Sequence, residues 1–271
     1  MGEREVIEGS PGPATVDSLA EDLSALGVAP GDVLLVHASL SSLGWVCGGP
    51  SAVILALEAV LGSRGTLVMP SHSGDLSDPA DWGNPAVPAD WWQTIRDTMP
   101  AYDAALTPTR GMGAIAETFR HQTGVVRSGH PQVSFSAWGA HAEEVTARHE
   151  LDFGLGEGSP LARLYDLDAR VLLMGVGHRS NTSLHLAEYR AAYVSKQQTT
   201  GGAPVMLDGR RCWTTLRDVD LEVDDFERIG EEFVRTTSGV RSGLVGAGQT
   251  LLMPQRALVV FAVTWMDAHR E

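Results

Sequence analysis

The 271-residue chain has little cysteine and no long apolar run, and each absence narrows its class. Its two cysteines, Cys47 and Cys212, lie far apart and form no Cys-x-x-Cys pair, so we expect neither a disulfide framework nor a structural zinc site. No apolar stretch is long enough to span a bilayer, and the charged N-terminal residues lack the apolar segment of a secretory signal. We therefore predict a cytoplasmic protein without a membrane segment.

Basic residues are also scarce. Lysine and arginine number 20 against 34 aspartates and glutamates, which gives a formal net charge of −14. Nucleic-acid-binding proteins usually carry a basic patch, so no nucleic-acid partner is expected. A negative field attracts cationic ligands, but it can also serve solubility alone. The charge therefore indicates a cationic substrate only if carboxylates converge in a pocket.

Several common site motifs are missing as well. The sequence has no Walker motif, no G-x-G-x-x-G and no Gly-x-Ser-x-Gly, which counts against the usual nucleotide sites and against an α/β-hydrolase nucleophile. It also has no His-Glu-x-x-His, and no ligand spacing requires a metal ion, so none is predicted. Because several histidines follow apolar segments, a metal-dependent hydrolase stays open as an alternative.

The order of apolar segments predicts an α/β fold. Helical patterns alternate with short apolar runs at 33–36 and 66–69, which are typical of buried strands in a largely parallel sheet. The strongest predicted strand is 171–176, and a helix over about 182–193 follows it. Further along the chain, residues 203–223 resemble a β-hairpin whose turn is Asp208-Gly209.

Two segments depart from this pattern. Residues 1–13 are rich in glycine and proline and are predicted to form a flexible leader. Residues 71–110 combine proline, tryptophan and aspartate, and such a long connection is usually functional or disordered. The interleaved tryptophans and aspartates favour an ordered substrate or cofactor loop, and a surface flap that packs its own tryptophans is the equal alternative. We predict that both segments belong to one domain over 1–271.

His185 and Glu188 are the best candidates for chemistry. They lie three residues apart on the helix that follows the strongest strand, so they share one helix face. Ligands in α/β sheets gather at the carboxyl ends of strands. A carboxylate beside an imidazole fixes its tautomer and raises its basicity, as a general base requires. The alternative is an ordinary solvated pair on a helix surface.

Other polar residues also follow predicted strands. His37 and His72 come directly after the first two strands, and His130 and His178 lie in loops that can approach the same cleft. The glycine-rich segment 110–113 opens a helix and carries an arginine, which is one way to bind a phosphate group. An ordinary turn would have the same composition.

Taken in order, six segments resemble the aminoglycoside 3-N-acetyltransferase family. They are Leu35 to Gly44, Gly65 to Ser71, Thr107 to Gly113, Arg127 to Pro131, Gly158 to Leu161, and the helix with Thr182, Leu184, His185 and Glu188. The resemblance covers about residues 15–195. It implies transfer of an acetyl group from acetyl-CoA to the 3-amino group of a 2-deoxystreptamine ring. It also implies a three-layer α/β/α fold, distinct from that of the small acetyltransferases.

The resemblance also assigns roles to residues. The catalytic pair falls on His185 and Glu188. The expected coenzyme A contacts are His37, Ser39, Ser41, Ser42, Leu43, Thr107, Arg110, Gly111, Met112 and Gly113. The expected contacts to a polycationic aminoglycoside are His72, Asp75, Asp103, Asp152, Glu157 and Glu188. Many relatives carry an aromatic residue where this chain has His72, and this difference bears on the range of substrates.

Direct transfer is the predicted mechanism. His185, oriented by Glu188, would take a proton from the amine as the amine attacks the thioester, and a backbone N–H or a serine of the first loop would hold the oxyanion. Such an enzyme would confer antibiotic resistance and work as a monomer or homodimer. The alternatives are a coenzyme A-dependent acyltransferase for a different amine and a non-catalytic protein that binds coenzyme A or a polyamine.

Overall fold

Nine strands and ten helices are found in residues 3–271, which are the residues that the computed structural model describes. The strands are β1 (Val33–Ala38), β2 (Thr66–Pro70), β3 (Val126–Arg127), β4 (Phe135–Gly139), β5 (Arg170–Met174), β6 (Gln198–Leu207), β7 (Arg210–Val219), β8 (Arg241–Val245) and β9 (Gly248–Pro254). The helices are α1 (Glu3–Gly9), α2 (Val16–Leu26), α3 (Gly49–Leu61), α4 (Trp92–Thr98), α5 (Gly113–Phe119), α6 (Ala142–Thr146), α7 (Pro160–Asp166), α8 (Ser183–Arg190), α9 (Phe226–Thr236) and α10 (Gln255–His269).

Seven of these strands form one mixed sheet in the order β3-β4-β2-β1-β5-β9-β8. At its centre β1 runs parallel to β2 and to β5, with Leu35 opposite Val68 on one side and Val171 on the other. The outer pairs β2–β4, β3–β4, β5–β9 and β8–β9 are antiparallel. Strands β6 and β7 form a separate hairpin. The predicted α/β class and mixed sheet are confirmed.

Helices cover both faces of the sheet because side chains of the central strands alternate between them. Val33 and Leu35 of β1 belong to a core that also includes apolar residues of α6, α7, α8, α9 and α10. Leu34 and Val36 belong to a second core with α2, α3 and α5. The arrangement has three layers, as expected. Over residues 3–271, no helix is both long and apolar enough to cross a membrane.

Local signals set several boundaries. Asp208 and Gly209 have φ values of 48° and 76°, so the predicted hairpin turn is confirmed with both central residues in the left-handed region. Helix α8 ends at Arg190 rather than near Tyr193, because the Lys196 ammonium donates hydrogen bonds to the carbonyls of Tyr189 and Ala191 at 2.7 and 2.8 Å.

Within the predicted flexible leader, residues 3–9 form α1. Ser10 Oγ donates a hydrogen bond to the carbonyl of Val6 (2.6 Å) and accepts one from the Trp45 N–H (2.8 Å). These bonds attach the segment to the loop after β1, and glycine and proline content alone does not reveal them. The part of the predicted leader at residues 1 and 2 lies outside the described residues.

Residues 71–110 are ordered and contain α4. Within the segment, Asp78 forms an ion pair with Arg96 (2.7 Å), and Trp82 Nε1 donates to Ser77 Oγ (2.9 Å). Arg211 of β7 donates to the Met99 carbonyl (2.7 Å), which joins the segment to the hairpin. Of the two alternatives for this region, these contacts favour a flap that packs its own side chains.

Buried His130 and half-buried His149 connect the β3–β4 turn to the segment after α6. The rings of His130 and His149 lie 4.8 Å apart. His149 Nε2 donates to the Gly154 carbonyl (2.6 Å), and His130 Nδ1 accepts from the Gln132 N–H (3.1 Å). Burial lowers the pKa of His130 to about 4 and that of His149 to about 3. Both rings are therefore neutral at pH 7.

Helix α3 has one buried and one exposed face, which predicts different effects of substitutions on the free energy of unfolding. Leu57 is fully buried and Leu55 is 52% exposed on the same helix. We expect Leu57→Ala to lower the free energy of unfolding by about 2–5 kcal/mol, because it leaves a cavity. Leu55→Ala should change it by less than about 0.5 kcal/mol. Urea unfolding at pH 7.5 measures both, and equal losses would contradict the described packing.

The lowered pKa values of His130 and His149 predict how the stability of the protein depends on pH. Unfolded histidines have a pKa near ~6.5, so the unfolded chain takes up protons before His149 does in the folded chain. Stability should be independent of His149 above about pH 7.5 and should fall as the pH drops from ~6.5 toward 4. At pH 5 the loss is about 2 kcal/mol for this one residue.

Urea unfolding of the wild type and of His149→Gln at pH 7.5 and 5.0 tests this prediction. The variant should show the smaller loss between the two pH values, and His121→Gln, a change at an exposed histidine, should behave like the wild type. Identical pH dependence in the wild type and His149→Gln would show that His149 is not responsible.

Candidate active site

A cavity of about 810 Å³ lies at the carboxyl ends of β1, β2 and β5. The parallel pairing of these strands brings their ends to one edge of the sheet. Ser39 follows β1, His72 follows β2 and Val176 follows β5, and all three line the cavity. His185 of α8 and Glu3 of α1 also line it.

Helix α8 places His185 on the cavity wall. Its Nδ1 lies 2.6 Å from Glu188 Oε2, and its ring meets Phe226 edge to face at 4.9 Å between centroids. A carboxylate only accepts hydrogen bonds, so Nδ1 carries the proton and Nε2 keeps its lone pair. Nε2 makes no hydrogen bond to any residue in 3–271, and the side chain is 13% exposed. The structure thus brings the predicted pair together with one nitrogen available to a ligand.

Glu188 is fully buried, and the fold supplies partners for both of its oxygens. Oε2 accepts from His185, while Oε1 accepts from the Glu222 N–H (2.9 Å) and from Arg270 Nη1 (2.7 Å). Arg270 also forms two 2.7 Å bonds to the Asp225 carboxylate. The carboxylate is therefore fixed in orientation and matched in charge.

His37 and His72 lie beside His185 as neutral groups. Burial, with a smaller effect from the charge of His185, lowers the pKa of each to about 3. His37 Nε2 lies 3.4 Å from Thr182 Oγ1, and His72 packs edge to face on Phe135. His72 Nε2 is buried and has no partner in the described chain, so a ligand group can satisfy it.

The predicted coenzyme A contacts divide into two groups. Six of them line the cavity: His37, Ser39, Ser41, Gly111, Met112 and Gly113. The other four do not: Ser42, Leu43, Thr107 and Arg110.

Each of these four residues has a different task. Ser42 Oγ donates to Ser39 Oγ (3.0 Å), and Leu43 is buried in the core beneath the loop. Thr107 Oγ1 accepts from the Asp103 N–H (3.0 Å), and Arg110 forms an ion pair with Asp75. These side chains support the loops that carry the cavity residues, and their contact with coenzyme A stays a prediction.

The carboxylates expected to bind the acceptor also lie outside the cavity lining, apart from Glu188, whose place behind His185 is described above. They are Asp75, Asp103, Asp152 and Glu157. Arg217 of the hairpin binds Asp152 through Nε and Nη2 at 2.8 and 2.7 Å, and Arg190 binds Glu157 at 2.7 and 3.0 Å. The structure does not bring these residues to the site, because arginines from distant elements already match their charge.

Asp103 and Asp75 form hydrogen bonds and an ion pair within their own region of the chain. Asp103 Oδ1 accepts from the backbone N–H groups of Ala105 and Leu106, both at 2.8 Å, and so forms a turn. Asp75 is paired with Arg110 at the surface. Within residues 71–110, His72 is the one residue that reaches the cavity.

A row of acidic residues near the site was not anticipated. Asp220, Glu222 and Asp224 lie between β7 and α9 and are exposed, while Leu221 and Val223 between them pack on the core. A spacing of two residues places the three carboxylates on the outer side of an extended segment. Over the described residues, Asp220 and Glu222 form no ion pair. The alternation of acidic and apolar residues in the sequence could have predicted this extended segment with its carboxylates exposed.

Two arginines at the site were also missed. Arg179 lines the cavity and forms a 3.2 Å ion pair with Asp224. Arg270 lies 82 residues beyond Glu188, so no local motif connects the two. In the described range, no group of three or more histidine, cysteine, aspartate and glutamate side chains is arranged to hold a metal ion.

Known proteins resemble this chain over almost its whole length. The family model for aminoglycoside 3-N-acetyltransferase matches residues 35–267. The SPbeta prophage-derived aminoglycoside N(3')-acetyltransferase-like protein YokD of Bacillus subtilis (strain 168) is 45% identical over 97% of this chain and 96% of its own. Aminoglycoside N(3)-acetyltransferase VII of Streptomyces paromomycinus is 38% identical over 98% of this chain and 96% of its own.

Solved structures agree with these relatives. The crystal structure of YokD matches with a TM-score of 0.96 at 44% identity and covers 98% of both chains. The structure of AAC-IIIb in binary complex with CoASH matches with a TM-score of 0.85 at 35% identity, over 96% of this chain and 98% of that chain. This chain therefore belongs to the aminoglycoside 3-N-acetyltransferase family.

Proposed function

We propose that this protein transfers the acetyl group of acetyl-CoA to the 3-amino group of the 2-deoxystreptamine ring of aminoglycosides. The observation that carries the proposal is His185, which presents an unpaired Nε2 to a large cavity and is held from behind by a buried carboxylate. This arrangement suits removal of a proton from an amine. Membership of the family supports the reaction and the acceptor class.

The cavity fits a long acyl donor with phosphate groups. Its volume of about 810 Å³ is within the ~300–1,000 Å³ of small-molecule sites. Gly111 and Gly113 have φ values of 72° and 80°, and a Cβ built on Gly111 would meet no atom within 4 Å, so the wall is open to close approach. Arg179 is the one lysine or arginine that lines the cavity in the described chain, and we assign it to a phosphate group.

Proton transfer is the task of His185. The acceptor amine arrives protonated and must lose a proton before its nitrogen can attack. His185 Nε2 takes that proton, and the resulting imidazolium is stabilised by Glu188 through Nδ1. Attack of the nitrogen on the thioester carbon forms the C–N bond and breaks the C–S bond. The proton then passes from His185 to the departing sulfur, and the second proton of the attacking nitrogen is released to solvent as the amide forms, so the enzyme returns to its starting state.

The developing negative charge on the thioester oxygen needs a hydrogen-bond donor. Ser39 lines the cavity, and its Oγ accepts from Ser42 Oγ at 3.0 Å and lies 3.3 Å from Ser41 Oγ, a pair in which either hydroxyl can be the donor. We assign this role to Ser39 or to a backbone N–H of the same loop. His37 and His72 are neutral, so neither adds a charge beside His185 at the reaction centre.

The acceptor approaches from the acidic side of the site. Asp220 and Glu222 precede α9, and the backbone N–H of Glu222 itself bonds to Glu188. Their unpaired carboxylates can hold ammonium groups of a polycationic ring system, and the net charge of −14 adds a general attraction. Like Asp152 and Glu157, they lie outside the cavity lining, but over the described residues they form no ion pair, so we propose them as additional acceptor contacts.

The complete site is built from one chain, so we propose that the protein works as a monomer or homodimer in the cytoplasm, where acetyl-CoA is available. Acetylation removes one positive charge and changes the hydrogen bonding of the antibiotic. We propose that this modification confers resistance.

Loss of His185 is the direct test of the catalytic role. We expect His185→Gln to lower kcat by about 10²–10⁴-fold, because the amine then lacks its general base. The assay is thiol release from acetyl-CoA with gentamicin-like, neomycin-like and apramycin-like acceptors, together with calorimetric titration of both ligands. Binding should persist in the variant, and His121→Gln should keep wild-type turnover.

Near-normal turnover by His185→Gln would overturn the base assignment. If the wild type releases no thiol with any of these acceptors, the acceptor class is wrong. Titration with coenzyme A then separates an acyltransferase for another amine from a protein that binds no coenzyme A.

The acidic row gives a separate expectation for acceptor affinity. Replacing Asp220 and Glu222 together by Asn and Gln should raise KM for the aminoglycoside roughly tenfold, and at most about 30-fold, with little change in kcat, because two exposed ion pairs contribute up to about 1 kcal/mol each. Added salt should reduce the difference from wild type. The double change Asp17→Asn and Glu21→Gln, at two exposed carboxylates of α2, is the charge-matched control, and an unchanged KM in the Asp220 and Glu222 variant would exclude this contact surface.

A further inference from the structure

Arg270 follows the last residue of α10 and lies beyond residues 35–267, which match the family model. Its backbone N–H donates to the Met266 carbonyl (3.0 Å), so it caps the helix. Its side chain is only 7% exposed and reaches Glu188, which stands behind His185. A charged side chain is rarely buried unless partners compensate its loss of hydration.

We propose that Arg270 is a positioning residue for acetyl transfer, which keeps Glu188 ionised and oriented so that His185 holds its proton on Nδ1 and offers Nε2 to the amine. This inference rests on the proposed function of His185. It adds a residue that touches neither substrate and acts through Glu188.

The geometry restrains both groups. Glu188 uses Oε1 for Arg270 and for the Glu222 N–H, which leaves Oε2 directed at His185. Arg270 is itself held by Asp225 through Nε and Nη2 at 2.7 Å and by the Glu222 carbonyl at 3.0 Å. Its guanidinium also lies over the Tyr193 ring at 5.0 Å. A planar fork with several donors can make all these contacts together, and an ammonium cannot.

Arg270 is needed to compensate the negative charge of Glu188. Glu188 is fully buried and Asp225 is 25% exposed, and one guanidinium lies between them. Without it, a buried carboxylate would remain with His185 and one backbone N–H as partners, and such a group binds a proton to avoid an unpaired charge.

Other ionisable groups do not replace it. Those that face Glu188 are His185 and Tyr189 from α8, Tyr193 and Lys196 from the segment after it, Asp225 from the segment before α9, and Arg270. Lys196 is bound to backbone carbonyls instead of to Glu188. Over the described residues, Arg270 and His185 are the two basic side chains within salt-bridge distance of this carboxylate.

Protonation of Glu188 would disable the base through its tautomer. A carboxylic acid donates its O–H to His185 Nδ1, and the neutral imidazole then carries its proton on Nε2. That nitrogen faces the cavity and can no longer accept a proton from the amine. The variant therefore loses activity because the proton of His185 is on Nε2 instead of Nδ1, and raising the pH enough to ionise Glu188 restores the active tautomer.

The test compares Arg270→Gln, Arg270→Lys and Asp225→Asn. At pH 7 we expect Arg270→Gln to lower kcat roughly 10- to 100-fold, part of the ~10²–10⁴-fold that a general base supplies, with KM for both substrates nearly unchanged. The acid limb of its kcat/KM profile should move to higher pH, and turnover should recover as the pH rises. Arg270→Lys should show a smaller shift in the same direction, whereas Asp225→Asn removes a negative charge and leaves the guanidinium beside Glu188, so its acid limb should not move to higher pH.

Two further readouts separate positioning from simple structural support. The ¹⁵N shifts of the His185 imidazole, assigned by comparison with His185→Gln, should show the proton on Nδ1 in the wild type and on Nε2 in Arg270→Gln at pH 7. Guanidinium added to Arg270→Ala should restore part of its turnover. Arg228→Gln, a change on α9 at a guanidinium that covers Trp265, is the control and should match the wild type.

A folded Arg270→Gln with wild-type turnover and pH profile would overturn the proposal. So would an equal loss at every pH with an unchanged His185 spectrum. If Arg270→Gln does not fold, as judged by thermal melting, the same criteria apply to Arg270→Lys. If the wild type acetylates none of the acceptors, the proposed function fails, and the spectra still decide where Arg270 places the proton.

Discussion

The hydrogen bond between His185 and Glu188 is possible only because the fold compensates a fully buried carboxylate. A lone ionised glutamate at this depth would bind a proton, so the other elements at the site matter through what they bring to its second oxygen. The segment before α9 provides the N–H of Glu222, and the end of α10 provides Arg270. Three segments that are distant in sequence therefore determine whether one imidazole can act as a base.

The parallel centre of the sheet places this imidazole where a ligand can reach it. Because β1, β2 and β5 end at the same edge, the loops after them share a cavity with the helix that follows β5. His37 near the end of β1 and His72 in the loop after β2 are neutral, so they shape the cavity without competing for the proton. Antiparallel strands complete the sheet on both sides and carry no residue of the cavity lining.

Local patterns revealed much of this arrangement. Strands β1, β2 and β5 and the hairpin turn follow from short apolar runs and turn residues, and the candidate catalytic pair follows from a spacing of three on one helix. Contacts between residues that are distant in sequence could not be predicted from local patterns. Nothing in the neighbourhood of Asp152 or Glu157 shows that Arg217 or Arg190 neutralises it, so these carboxylates looked available for a ligand. Arg270 was missed for the same reason, since only the folded chain brings it to Glu188.

The lysine whose ammonium binds the end of α8 also bears on how the protein tolerates its own acyl donor. Lys196 is the only lysine in the sequence, and its ammonium is held by the carbonyls of Tyr189 and Ala191. Every other cationic side chain, histidine aside, is a guanidinium, which resists acylation because its charge is delocalised and permanent. A protein that works with a reactive thioester thus offers that thioester almost no side-chain amine of its own. Self-modification, a side reaction to which lysine-rich surfaces are open, has little to act on here.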